Sequence, residues 1–167
     1  MITQHPLVLA TRTYHALFVQ FASMLQHPLL LVMRLYWGWQ FFLTGKGKLG
    51  NIEGVTQFFD GLGIPMPMFN AYLVASLECV GGLLLLAGLG SRLIAIPLTI
   101  AMSVAYATAH REELSDIFSE PDKFLNAAPF LFLLTCVIVL IFGPGAFSLD
   151  AVIKRLLPTR ASDNAKR

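Results

Sequence analysis

This chain reads as an all-α integral membrane protein: a four-transmembrane-helix antiparallel bundle, preceded by an amphipathic interfacial helix and carrying a short helix in its first exterior loop. Three observations lead there. Apolar residues make up 56% of the chain and charged residues 13%, with a mean hydropathy of +0.66, whereas a soluble domain is roughly a quarter charged. Four apolar runs of near-membrane length follow one another within 167 residues, enough for one membrane domain. Two of those runs contain a full charge, Glu78 near the centre of one and Arg34 within another. An ionised group in hydrocarbon is costly unless it faces a bundle interior and finds a partner, so such groups are the first places to look for function.

At the N-terminus, Tyr14, Leu17, Phe18, Phe21, Met24 and Leu25 recur at helical spacing, while Arg12, His15, Gln20, Ser23 and Gln26 fall on other faces. This predicts an amphipathic helix in the headgroup region over 1–27; the alternative is a plain extension of the first span. The membrane domain then covers 28–152. Its first span is Pro28 to Thr44, with Pro28 suited to a first turn, and it starts a turn earlier if it is to reach the ~20 residues a bilayer needs. The loop from Gly45 to Met68 places Ile52, Val55, Phe59 and Leu62 at spacings of three or four, which predicts a short helix on the bilayer face.

The second span is Phe69 to Leu89 and the third Leu93 to His110; with only Gly90-Ser91-Arg92 between them they form a tight antiparallel hairpin. The loop from Arg111 to Lys123 carries five acidic residues, Glu112, Glu113, Asp116, Glu120 and Asp122, and must be solvated. The fourth span is Phe124 to Phe142, closed by Gly143-Pro144-Gly145, and residues 153–167 form a basic tail.

Lys and Arg flanking the spans set the orientation. Arg12, Arg92, Lys154, Arg155, Arg160, Lys166 and Arg167 share one side, against Lys46, Lys48, Arg111 and Lys123 on the other. Both termini are therefore expected in the cytoplasm of a bacterium, with the chain multi-pass in the inner membrane and the two longer loops outside. No basic, cleavable leader is read at the N-terminus. A net charge of +2, with no basic groove-binding run, argues against nucleic acid.

Arg34 and Glu78 are expected to pair across antiparallel neighbours. Counted from the predicted helix ends at ~1.5 Å per residue, they differ in depth by about 7 Å, within reach of an arginine. Arg34, Gly38, Phe41 and Gly45 share one stripe and Ala71, Ala75, Glu78 and Gly82 another, and small residues at such spacing let helices approach closely in lipid. Two readings follow: a structural ion pair that sets helix register, or a site that binds a ligand or relays a proton. Lys48 and His110, at the exterior ends of the first and third spans, could form a polar mouth with the acidic loop; their bland alternative is an ordinary interfacial position. Ala101, Ala105 and Ala109 read as packing. Cys79 and Cys136 lie at similar depth but in no Cys-x-x-Cys pair, and a lone buried cysteine behaves as a small hydrophobe. No metal-ligand spacing or Ser/His/Asp signature is present, so no metal site is expected.

Arg34-x3-Gly38-x2-Phe41-x3-Gly45-x2-Lys48, then Gly63-Ile64-Pro65, then Glu78-x2-Gly81-Gly82 with Leu-rich sequence to Gly88-Leu89-Gly90-Ser91-Arg92, and finally Gly143-Pro144-Gly145-Ala146-Phe147-Ser148-Leu149-Asp150, resemble the DoxX family of small four-helix membrane proteins. The resemblance runs from about Leu30 to Val152. Ala-His110-Arg-Glu looks like members encoded beside enzymes that mature copper-binding peptides, the bufferin type. Relatives often carry an acidic residue early in the fourth helix, where this chain has Asn126, Ala127 and Ala128. The resemblance implies a membrane component of a redox system, with a redox or peptide-maturation protein as partner.

The working expectation is a redox-associated subunit that takes a quinone near Arg34 and Glu78. The alternatives are a small transporter or exporter using the same polar core, and a structural membrane partner. A homo-oligomer is compatible with either. Arg92 and Asp150, both on the cytoplasmic face, are expected to form an interfacial ion pair.

Overall fold

The computed structural model describes residues 6–157, and every described element is helical. His5 and the tail cations Arg160, Lys166 and Arg167 lie outside the described residues. Eight helices follow in order: α1 Pro6–Gly50, α2 Ile52–Gly61, α3 Pro67–Ala87, α4 Ser91–Thr108, α5 Arg111–Ser115, α6 Pro121–Asn126, α7 Pro129–Phe142 and α8 Leu149–Leu156. Three carry stretches long and apolar enough to cross a membrane: Tyr14–Gly50 of α1, α3 and α4; α7 is a shorter apolar helix of 14 residues.

Two expected boundaries move. Residues 14–27 and the first span are one uninterrupted helix rather than two elements. Pro28 removes a single hydrogen bond to the turn before it, which a long apolar helix tolerates. The fourth span is instead broken, α6 ending before an extended Ala127 and α7 starting afresh at Pro129. In a continuous helix the Pro129 ring would meet the carbonyl of Leu125, whereas in the first turn of a new helix its missing N–H costs nothing. The amphipathic α8 was not anticipated. Ser148 caps it, its Oγ accepting from the Ala151 N–H at 3.1 Å.

Helices α1, α3, α4 and α7 pack as successive neighbours around a closed circuit, α2 lying on α3. Phe41, Leu85, Ala95, Leu98, Met102, Cys136 and Val139 form the buried core, and Phe132 sets its ring edge-on to Phe41 with centroids 4.5 Å apart. The predicted hairpin between α3 and α4 is present. Gly88 takes a left-handed conformation (φ 72°) and closes α3 with Gly88 N–H to Leu85 O and Leu89 N–H to Leu84 O, at 3.1 and 3.0 Å, the paired bonds of a Schellman end.

Helices α1 and α3 approach to backbone contact. A Cβ on Gly82 would sit 2.5 Å from the Phe42 nitrogen, one on Gly38 would sit 2.9 Å from the Gly82 carbonyl oxygen, and one on Gly45 would overlap the backbone of Ala75 and Cys79. Backbone therefore packs on backbone over two turns, gaining dispersion contacts where the hydrophobic effect supplies no drive between helices in lipid. Gly81 points the other way, toward Leu98 and Ile94 of α4. These positions locate Gly38–Gly82 and Gly45–Cys79 as facing pairs. The resulting antiparallel register sets Arg34 level with Leu86 to Gly88 and Glu78 level with Phe42 to Lys46.

This packing separates glycines that look alike in sequence. Gly45→Ala must push α1 from α3 and should destabilise by about 1–3 kcal/mol, the usual range for overpacking, seen as a lower melting temperature in detergent. Gly47→Ala has open space around it and should be neutral or stabilising by up to about 1 kcal/mol through helix propensity. Equal effects at the two positions would refute the close contact.

Candidate functional site

The register decides which charge meets which. Glu78 is 2% exposed and accepts from Lys48, with Nζ 2.5 Å from Oε1. Arg34 lies fourteen residues before Lys48 on the same helix, about 21 Å along the axis. The expected Arg34–Glu78 pair is thus absent, and the two charges serve opposite ends of the bundle. The depth count failed because it aligned the two helices by assumed membrane edges, whereas the glycine contacts set a register in which Glu78 lies level with Phe42 to Lys46, well beyond Arg34.

Arg34 is fully buried and donates to two main-chain carbonyls, Leu85 O at 3.3 Å and Phe147 O at 2.6 Å. The first is exposed by the end of α3 and the second lies in the Gly143–Ser148 turn. Gly88 is required beside it, since any Cβ there would overlap the guanidinium. Around this cation the loop is stitched down by Asp150, whose Oδ1 and Oδ2 accept from Gly90 N–H at 2.8 Å and Ser91 N–H at 3.2 Å. Asp150 thereby caps α4 from outside its own helix, where a carboxylate also meets the positive end of the helix dipole. Arg92 does not pair with Asp150 as expected. It donates to Ile141 O at 3.0 Å, at the C-terminal end of α7, where a cation is favoured. Backbone acceptors and donors leave no mark on side-chain patterning, so neither arrangement was visible beforehand.

At the other end, Lys48 and Glu78 line a cavity of about 650 Å³ bounded by α1, α2, α3, α4 and the start of α7. That volume suits a small organic ligand. Its walls are mostly apolar, with Phe41, Phe59, Leu77, Met102 and Phe132 among them. The only buried carboxylate among the described residues therefore faces a greasy chamber. Its Oε2 has no partner, and a buried polar atom left unsatisfied costs free energy unless a ligand or water completes it. The aromatic and aliphatic contributions from α2, and the wall from Pro97 to Ala109 on α4, were not anticipated as site residues; the period-three-to-four pattern of Val55, Phe59 and Leu62 was the available signal.

His110 links this cavity to a second, of about 460 Å³, lined by His110, Glu112, Glu113, Lys123 and residues 126–128. Lys48 lines the first space only, and His110 meets the acidic loop in the second. His110 Nδ1 lies 3.3 Å from Glu113 Oε1. A backbone N–H and the His110 ring hold the Glu113 carboxyl below its ordinary pKa, and Glu120 raises that of Lys123. The break before α7 makes room for this second space. Tyr106 secures the strap that crosses it, its hydroxyl donating to Phe124 O at 2.8 Å and its ring stacking on Phe124 at 4.6 Å. Cys79 and Cys136 are free thiols. Among the described residues no group of three His, Cys, Asp or Glu side chains could hold a metal ion.

The profile of the DoxX family matches residues 29–111, a stretch that contains Arg34, Lys48, Glu78 and His110. A protein of Bacillus subtilis (strain 168), named "Putative oxidoreductase CatD", is 30% identical over 125 residues, covering 74% of this chain and 85% of the relative. An uncharacterized protein of Haemophilus influenzae is 27% identical over 136 residues, 79% of this chain and 87% of that one. No solved structure matches the chain.

The observed pairing yields a stability test. Lys48→Ala strands a buried carboxylate and should cost toward the lower end of about 3–5 kcal/mol, because Lys48 is a third exposed and water reaches it. Lys48→Met with Glu78→Leu removes both charges and should recover most of that loss in a detergent melt. Arg34→Met combined with Glu78→Leu should instead be additive; strong coupling there would contradict the geometry.

Proposed function

This chain belongs to the DoxX family of membrane proteins, and from that membership and the cavity at Lys48–Glu78 we propose that it is the membrane subunit of a redox system, holding a lipid-soluble molecule of the quinone class. The observation that carries the reading is a mostly apolar chamber with one ion pair in its wall, the carboxylate buried and the lysine partly exposed. A quinone is an apolar ring with two polar oxygens and a hydrocarbon tail, so it asks for such walls and a few polar groups. Leu73, Ile100 and Val104 line the chamber and are about half exposed, which offers a tail a lateral way out toward lipid. The oxidoreductase in the name of the Bacillus subtilis relative supports a redox assignment. The space beside His110 and Glu113 would lie under a soluble partner that exchanges electrons with the bound molecule.

Passage of a solute across the bundle is less well supported. The chamber's lining stops at Phe41, Glu78 and Pro97, and beyond it Leu85, Leu98 and Val139 are fully buried while Arg34 and the Gly143–Ser148 turn occupy the far end.

In this reading α1, α3, α4 and the shorter α7 cross a bacterial inner membrane, with α5 and α6 outside. Tyr14–Gly50 spans 37 residues, about 55 Å against a core of ~30 Å. The part before His27 therefore runs into or along the cytoplasmic headgroups, and α8 lies at the same interface with Lys154 and Arg155 near anionic lipid.

Two experiments test the proposal. Gentle purification followed by mass spectrometry of the organic extract should recover a quinone-class molecule from the wild type, and much less from Ala105→Phe, which fills the chamber without touching its charges. A wild type that retains none and binds none on titration would sink the reading. For topology, reporter fusions after Val152 should be active only in the cytoplasm and fusions within Glu53 to Leu62 only outside; the reverse pattern would invert every assignment of side.

A further inference from the structure

Resting on the quinone-class reading above, we propose that the chamber is a quinol site: it prefers the reduced, dihydroxy ring to the oxidised, dicarbonyl ring, with Glu78 Oε2 accepting a ring hydroxyl hydrogen. The argument is an inventory of hydrogens. Glu78 is 2% exposed and engages Lys48 through Oε1 alone, leaving Oε2 without a partner. Lys48 Nζ lies against Oε1 and is a third exposed, the geometry of a carboxylate–ammonium pair. An ionised carboxylate has lone pairs to offer and no hydrogen.

The neutral hydroxyls in the wall do not reverse this. Thr44 Oγ1 has the carbonyls of Phe41 and Gln40 within reach of its one hydrogen, at 2.9 and 3.0 Å. Thr108 Oγ1 donates to Val104 O at 2.7 Å, and Asn70 Nδ2 to Pro65 O at 2.6 Å. Each of these hydrogens has an acceptor on its own chain within hydrogen-bond distance. Apart from the remaining Lys48 hydrogens, one on the Asn70 amide and the His110 ring, whose nitrogens donate or accept according to tautomer, the polar lining accepts rather than donates. A quinone carbonyl brings more lone pairs to such a surface. A quinol hydroxyl brings the hydrogen that Oε2 lacks, and a charge-assisted bond of that kind is among the stronger ones.

The preference is a binding property and needs no electron transfer to be measured. The full chain in nanodiscs is titrated anaerobically with decyl-ubiquinol and, separately, with decyl-ubiquinone, and the two dissociation constants are compared. The wild type should bind the quinol roughly tenfold or more tightly, the scale of one hydrogen bond to a charged acceptor. Glu78→Gln, which can turn either its oxygen or its NH2 toward the ring, should shrink the ratio toward unity while still binding both forms. Equal binding of the two forms by the wild type, or tighter binding of the quinone, overturns the inference and leaves the quinone-class reading standing. An unchanged ratio in Glu78→Gln overturns the role of Oε2. Binding of neither form by the wild type overturns the quinone-class reading itself.

Discussion

Backbone contact between α1 and α3 at Gly38–Gly82 and Gly45–Cys79 sets the geometry of everything else in this bundle. Glycines there let two helices approach until main-chain atoms touch, and three positions over two turns permit only one antiparallel register. Because both helices are rigid, that register also fixes what happens a turn or two beyond the contact. It delivers Lys48 to Glu78 at one end and lays Arg34 beneath the end of α3 at the other.

The two buried charges consequently do different work. Arg34 donates to two carbonyls through its terminal nitrogens while its Nε has no partner, and its neighbours Gly88, Ser148 and Asp150 complete a latch that ties α1, the α3–α4 turn and the start of α8 together. Every strong interaction at that end is with main-chain atoms, which suits a structural closure. Glu78 is the opposite case. It has one side-chain partner, one free oxygen and a chamber in front of it, an arrangement that stability alone does not require, since an apolar pair would pack as well or better.

Proline chemistry shapes the open end. Pro129 forces the fourth helix to restart, and the extended Ala127 ahead of it separates α6 from α7. The gap admits a polar space beside the apolar one, bridged by His110 and strapped by the Tyr106–Phe124 contact. Pro97 lines the chamber from within α4, so the wall opposite Glu78 also lacks one regular helical bond. A ligand chamber thus opens where the helices are irregular, while the latch end is closed by regular helix termini.

Composition and hydrophobic periodicity were sufficient to show an all-helical membrane protein, to place the α3–α4 hairpin at Gly90-Ser91-Arg92 and to single out Arg34, Lys48, Glu78 and His110, because burying charge in lipid is expensive enough to be visible one residue at a time. The partners of those residues were not legible. Depth had to be counted from assumed membrane edges, which do not fix how one helix is shifted against the other, so the count put Arg34 within reach of Glu78. The small-residue stripes of α1 and α3 held the correct register, but only the packed helices show which glycine faces which. The partners of Arg34, Arg92 and Asp150 are backbone groups, identical at every position until the chain has turned, and the chamber walls from α2 and α4 meet Glu78 only in three dimensions. Local physics along the chain determined where charges lie in the membrane; tertiary packing alone decided what each of them touches.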